Sequence, residues 1–385
     1  MANGENKLGY VDAARGIAIL MVIVVHQLYV PGMSPLVVGL SEYGQMGVQL
    51  FFVASAYTLC ISEHRREAEP AHVASFYIRR YFRIAPLYYL AIALYGLLQV
   101  SRVYFTARYA AGLNLQAVDL TGNYSLSNIV ANVLFIHGFV PAANNAVVPG
   151  GWSIGTEMAF YAIFPLLFYV VVRVLAGRVS MVIALLVGVL AIDVAVNFTL
   201  SRVYGVPIGR STFVYFNLLN QLPVFLIGMI AFLRFYLPNA PITAATAVRD
   251  IVLFGVFTAI SAALWLSGDD LAFSFIPVVS GISFAFLLNL LRSLPWRLTP
   301  IEKIGQVSYS MYVFHFLFAD VMARLPVKLL GPAPSYPTLI YFMLLAVSIA
   351  CTYAAAVASK RWLEDPGIEL GRRMIAQLRL RRAAA

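Results

Sequence analysis

Stretches of about twenty consecutive apolar residues recur along the whole chain, each long enough to cross the ~30 Å hydrocarbon core of a bilayer as a helix. Lipid offers the backbone no hydrogen-bond partner, so a spanning segment must satisfy its own N–H and C=O groups; runs of this length do so as helices. Ten spans are predicted, at 11–30, 43–62, 84–101, 151–173, 180–199, 216–235, 250–266, 272–291, 304–323 and 338–358. The fold class expected is an all-α, polytopic transmembrane helical bundle. Charged residues are 11% of the sequence, against about 25% in soluble domains, which leaves little room for a soluble appendage. Residues 1–366 are read as one transmembrane domain and 367–385 as a basic tail. The apolar stretch 128–140 is too short for a span and is read as a re-entrant or interfacial piece.

Lys and Arg sort the two sides. With the N-terminus inside, the inner loops carry Arg65, Arg66, Arg79, Arg80, Arg83, Arg173, Arg178, Arg234, Arg249, Arg292, Arg297 and Lys303, and the segment after the last span adds Lys360, Arg361, Arg372, Arg373, Arg379, Arg381 and Arg382. The outer loops hold only Arg102, Arg108, Arg202, Arg210, Arg324 and Lys328. This bias predicts an even number of spans with both termini cytoplasmic. A crossing at 128–140 would invert every later loop. The net charge of +10 follows from the same rule, so no nucleic-acid partner is inferred. Anionic membrane lipids are the expected partner of the tail, whose cations alternate with Met, Ile and Leu. Asp12 and Arg15 break the head of the first span and no small-residue cleavage site follows it, so it is expected to be retained. Cys60 and Cys351 lie within apolar runs, which excludes a disulfide framework; no metal site is expected. The halves show no internal repeat, which weighs against a transporter or flippase for sugars or glycolipids, the alternative reading.

Within this apolar chain the ionisable residues stand out. Arg15 and His26 share the first span, eleven positions apart. That is about three turns, so they lie on one face, roughly 16 Å apart along the axis. An Arg at mid-span costs roughly 2.5–3.5 kcal/mol on insertion scales, and residues retained at that cost usually carry function. A neutral imidazole near pH 7 can take a proton from a hydroxyl that attacks a carbonyl, which makes His26 a candidate general base. The structural alternative pairs Arg15 with Asp12 and packs His26. Arg79 and Arg83 lie one turn apart with Arg80 between them. Their planar guanidinium forks suit phosphate oxygens, so they form either a clamp for a cytosolic phosphorylated donor or an ordinary positive-inside cluster. No Walker or dinucleotide-binding glycine pattern occurs.

Glu157 follows Trp152 and Ser153 at the head of the fourth span, at a depth expected to match His26, and is read as its orienting partner. Trp152 suits the interfacial belt. Ser308, Tyr312 and His315 fall at i, i+4 and i+7, which makes one face of the ninth span polar; His315 is a second candidate imidazole, for catalysis or for positioning the acceptor. Ser and Tyr on such a face also serve as interhelical hydrogen-bond partners.

Taken in order, these segments resemble the acyltransferase 3 family of integral membrane acyltransferases, over nearly the whole chain. Arg15 and His26 match its Arg–ten residues–His pattern and Arg79 and Arg83 its Arg–three residues–Arg pattern. Gly47-Val-Gln-Leu-Phe-Phe-Val53, Trp152-Ser153 with Glu157, and Ser308-Tyr309-Ser310 with His315 fit as well. Gln49 stands where an acidic residue is expected and Ala56 where Gly is expected, so Gln49 is left out of the catalytic set. The family's frequent extracytoplasmic hydrolase-like domain has no counterpart, which implies the stand-alone form. The resemblance implies transfer of an acyl group, usually acetyl, from acyl-CoA to a hydroxyl of a carbohydrate, glycolipid or related acceptor, at the cell inner membrane. It implies catalytic roles for His26, Glu157 and Arg15, and donor binding by Arg79, Arg80 and Arg83. Trp152, Ser153, Ser308, Tyr312 and His315 would contact substrate.

Overall fold

The computed structural model describes residues 8–383 apart from 28, 70, 110–122, 207, 210–211, 239–242, 270 and 331–334. Arg210 therefore lies outside the described residues. All regular structure within them is helical. In chain order the helices are α1 (Gly9–His26), α2 (Pro35–Tyr43), α3 (Gly47–Arg66), α4 (His72–Tyr109), α5 (Leu126–Val133), α6 (Gly151–Tyr169), α7 (Val179–Arg202), α8 (Leu218–Ala231), α9 (Ala244–Ser267), α10 (Ala272–Ser293), α11 (Thr299–Gln306), α12 (Ser308–Leu330), α13 (Pro337–Ser359) and α14 (Asp365–Ala383). Among the described residues nine helical runs are long and apolar enough to cross a bilayer. The 23-residue α12 takes the place of the remaining predicted span. The protein is an all-α polytopic bundle.

Burial separates centre from periphery. In the most apolar window of Pro35–Arg66, which contains α3, 83% of residues are buried; in α7 and α9 only 17% are. The outer helices α7 and α9 therefore turn apolar surface to lipid, while the runs that contain α8 and α10, 72% and 67% buried in their most apolar windows, join α3 at the centre. Close approach at the centre depends on small residues, as expected where lipid offers no hydrophobic drive for association. A Cβ on Gly228 of α8 would stand 2.6 Å from the Val53 carbonyl oxygen of α3. One on Gly305 of α11 would collide with the Asp12 carbonyl of α1.

The stretch around 128–140 does not cross. α5 has 8 residues, about 12 Å of rise, and is followed by a 3-10 turn at His137–Phe139. This segment covers the head of α6: Tyr124 donates to the Val147 carbonyl (2.8 Å), and the Asn132 amide to that of Ala143 (3.2 Å). The basic tail continues α13 through a π-turn, Lys360–Glu364, into α14, which lies back along α4. At Gly371 a Cβ would come within 3.0 Å of Phe82. Ile375 is buried, while Arg372 and Arg373 are exposed and pair with Glu369.

Candidate active site

Four clefts succeed one another through the bundle. At the end that carries both termini, a cleft of about 980 Å³ between α4 and α14 is lined by Arg79, Arg80 and Arg83. Beside it, about 620 Å³ is lined by Asp12, Arg15, Thr58, Arg83 and Glu364. Both lead to a smaller buried cavity that shares Arg80, Arg83 and Arg15 with them and adds Ser55, Glu157, Tyr161, Ser153, Ser308 and Tyr312. At the opposite end a cavity of about 410 Å³ holds His26, Glu42, Gln45, Trp152 and Phe316. Val48 and Tyr312 line both the buried cavity and this outer one, and so form the partition between them.

Helix α1 carries its cation and its imidazole to opposite ends of this series. Arg15 donates from Nη2 to Thr58 Oγ1 (3.0 Å), and its Nη1 lies 3.8 Å from Asp12 Oδ1. The structural pairing with Asp12 thus exists, and Arg15 still lines two of the clefts. His26 places Nδ1 2.8 Å from the Val22 carbonyl oxygen. A carbonyl only accepts, so Nδ1 carries the proton and Nε2 keeps its lone pair. Its ring packs on Phe316 (centroids 4.4 Å apart) and His315 (5.0 Å). His315 is fully buried; its Nδ1 donates to the Tyr312 carbonyl (2.6 Å), and its Nε2 has no hydrogen-bond partner among the described residues. It stands behind His26 rather than on a cavity wall.

Glu157 does not pair with His26. Its Oε1 accepts from Ser55 Oγ (2.6 Å) and Tyr161 Oη (2.5 Å), and the Arg80 guanidinium sits 5.7 Å from the centre of the Tyr161 ring. The reason lies in the segment over α6. His137 is buried, which pushes its imidazole below the usual range, and its Nε2 bonds the Gly151 carbonyl at 3.0 Å. The head of α6 therefore starts beneath a cover. Trp152 stays level with His26, and Glu157 falls a turn lower, where a desolvated carboxylate takes the nearest hydroxyls. Trp152 is buried and stacks on Phe216, centroids 4.3 Å apart.

The partition is a hydroxyl chain. Ser153 Oγ donates to Tyr312 Oη (2.7 Å), which donates to the Gly150 carbonyl (3.0 Å). Ser308 lines the buried cavity nearby. Sequence reasoning missed Ser55 and Thr58, small polar residues in the apolar run of α3, whose roles arise only where α3 meets α6 and α1. Tyr161, four residues after Glu157, was legible. Gln49 lines the outer cavity and donates to Gln221 (3.1 Å) and Tyr215 (3.3 Å). Asp193 and Asn197 bond each other (3.1 Å), and Asn197 reaches Ser274 of α10 (2.7 Å), so they join helices. Cys60 and Cys351 are free.

The family model described as an acyltransferase domain matches residues 8–357. The acyltransferase MdmB of Streptomyces mycarofaciens is 22% identical, over 87% of this chain and 84% of that protein. The exopolysaccharide production protein ExoZ of Rhizobium meliloti is 26% identical, over 79% of this chain and 86% of its own length. No solved structure matches.

Proposed function

The chain belongs to the acyltransferase-domain family, an enzyme family whose reaction requires an acyl donor, and from that membership we propose that it is a multi-pass O-acyltransferase of the cell inner membrane. It moves an acyl group, acetyl in the simplest case, from cytosolic acyl-CoA to a hydroxyl of a carbohydrate or related acceptor on the extracytoplasmic side. Both termini and the arginine cleft face the cytosol, as the positive-inside bias requires.

The observation that supports this reading is the succession of the clefts: a cation-lined entrance, a buried cavity and an imidazole-bearing outer cavity lie side by side, with shared walls at Arg80, Arg83, Val48 and Tyr312. Arg79, Arg80 and Arg83 hold the donor phosphates, and the pantetheine arm passes Arg15 into the buried cavity. The thioester reaches the partition at Tyr312 and Ser153, and the acceptor hydroxyl waits beside His26 and Trp152. His26 Nε2 takes the hydroxyl proton as its oxygen attacks the thioester carbon. The C–S bond then breaks, the thiolate regains a proton from the imidazolium, and ester and free thiol leave. Turned away from the Gly150 carbonyl, the Tyr312 hydroxyl would donate to the oxygen that becomes negative during attack. His315, with its Nδ1–H committed, fixes the ring face behind His26. Glu157 acts on the donor side, where it holds Ser55 and Tyr161 and balances the Arg80 charge.

The test is purified protein in nanodiscs given labelled acetyl-CoA and a panel of oligosaccharides. The proposal expects label in an ester on one acceptor with one free thiol released per ester. Sugar movement across vesicles without thiol release would favour transport instead.

A further inference from the structure

Helix α14 lies beyond the residues matched by the family model, yet it forms one wall of the cleft of about 980 Å³. Six arginines line that cleft, Arg66, Arg79, Arg80 and Arg83 on one side and Arg372 and Arg379 on α14, against the single carboxylate of Glu69. Glu69 is held by Arg379. Even so, Nε and Nη2 of Arg79, Nε of Arg80 and Nε of Arg379 are buried without a hydrogen-bond partner among the described residues. Six guanidinium groups set against one carboxylate leave this cleft strongly cationic, which suits an anion rich in acceptor oxygens. The α14 wall also presents Ile368, Ile375 and Leu380, an apolar strip beside the charges. Cations facing each other across a gap, with an apolar strip between, suit a ligand with phosphates at two separate points and a flat heterocycle. A lipid headgroup meets charges spread over one surface instead.

Resting on the acyl-CoA reading above, we propose that α14 is the second wall of the donor site. Arg372 and Arg379 receive the phosphate on the 3′ position of the ribose, the adenine lies on Ile368, Ile375 and Leu380, and the α4 arginines take the diphosphate. The donor is thereby distinguished from molecules that carry the same thioester arm without the 3′-phosphate.

The experiment measures binding of CoA and of 3′-dephospho-CoA to the full-length protein in phosphatidylcholine nanodiscs. A charge-assisted phosphate contact predicts that the wild type prefers CoA by about tenfold or more. The double variant Arg372→Gln/Arg379→Gln should bind both nucleotides equally, at the wild-type level for dephospho-CoA. Because Arg379 also anchors Glu69, the exposed Arg372→Gln is measured alone; it should lose part of the preference at an unchanged melting temperature. Equal binding of the two nucleotides by the wild type, or a preference that survives the double substitution, overturns the assignment while leaving the acyl-CoA reading intact. Failure of either nucleotide to bind the wild type overturns both. Repeating the titration with phosphatidylglycerol separates the two phosphate sources. Loss of CoA binding in that lipid, restored by the double variant, would give the cleft to a headgroup and end the proposal.

Discussion

Replacing His26 by Ala isolates the chemical step. The ring's one hydrogen bond is to the Val22 carbonyl, and its main packing partners are Phe316 and His315. The bond is worth about 1 kcal/mol and each ring contact about 0.5–1.5 kcal/mol. The vacated space joins a cavity of about 410 Å³ that already exists, so little new enclosed void is created. The total, about 2–4 kcal/mol, falls short of the roughly 5–15 kcal/mol that stabilises a typical domain, so the variant should insert and fold. Loss of a general base costs about 10²–10⁴-fold in turnover, or roughly 3–5 kcal/mol of barrier. The acyl-CoA affinity should stay within about twofold, since His26 lies beyond the partition from the arginine cleft. The assay follows labelled acetyl transfer at saturating donor, beside a gel-filtration profile and a melting curve. Because the vacated space is open, added imidazole should recover part of the activity. Turnover within about threefold of the wild type in a folded sample would remove His26 from the mechanism.

Arg83 lines three of the clefts, so Arg83→Gln should raise the KM for acyl-CoA about tenfold or more with a smaller change in kcat; an unchanged KM would refute the clamp. Glu157→Gln keeps an oxygen for Ser55 and Tyr161 but removes the charge near Arg80, and should lower kcat/KM about tenfold; equal efficiency to wild type would reduce Glu157 to packing. Gly305→Val drives a side chain into the Asp12 carbonyl and should cost about 1–3 kcal/mol, read as a lower melting temperature; a variant as stable as the wild type would show that α1 and α11 can separate freely.

Much of this architecture could be read before any coordinates. The apolar runs give the helices to within a few residues at most ends; Arg15, His26 and Glu157 are visible because each is costly in lipid, and Arg79 and Arg83 because they stand one turn apart. What could not be read was depth. Counting down from Trp152 assumed that α6 begins at the interface, but the segment clamped by Tyr124, Asn132 and His137 lies above it, which carries Glu157 away from His26 and toward Ser55. The partners of buried charges were equally hidden, since Ser55 and Thr58 acquire their meaning only through helices distant in sequence. By composition the tail reads as a leaflet-binding segment. Gly367 and Gly371, one turn apart, were the signal that it packs on α4.

The central claim is that donor and acceptor meet within one bundle from opposite compartments. Proteoliposomes of known orientation measure this directly, with labelled acetyl-CoA supplied only on the side of α14 and the acceptor confined to the other. The prediction is acylated acceptor in the compartment the donor never enters, with free CoA left where the donor was added. Acylation only when both substrates share one side would contradict it.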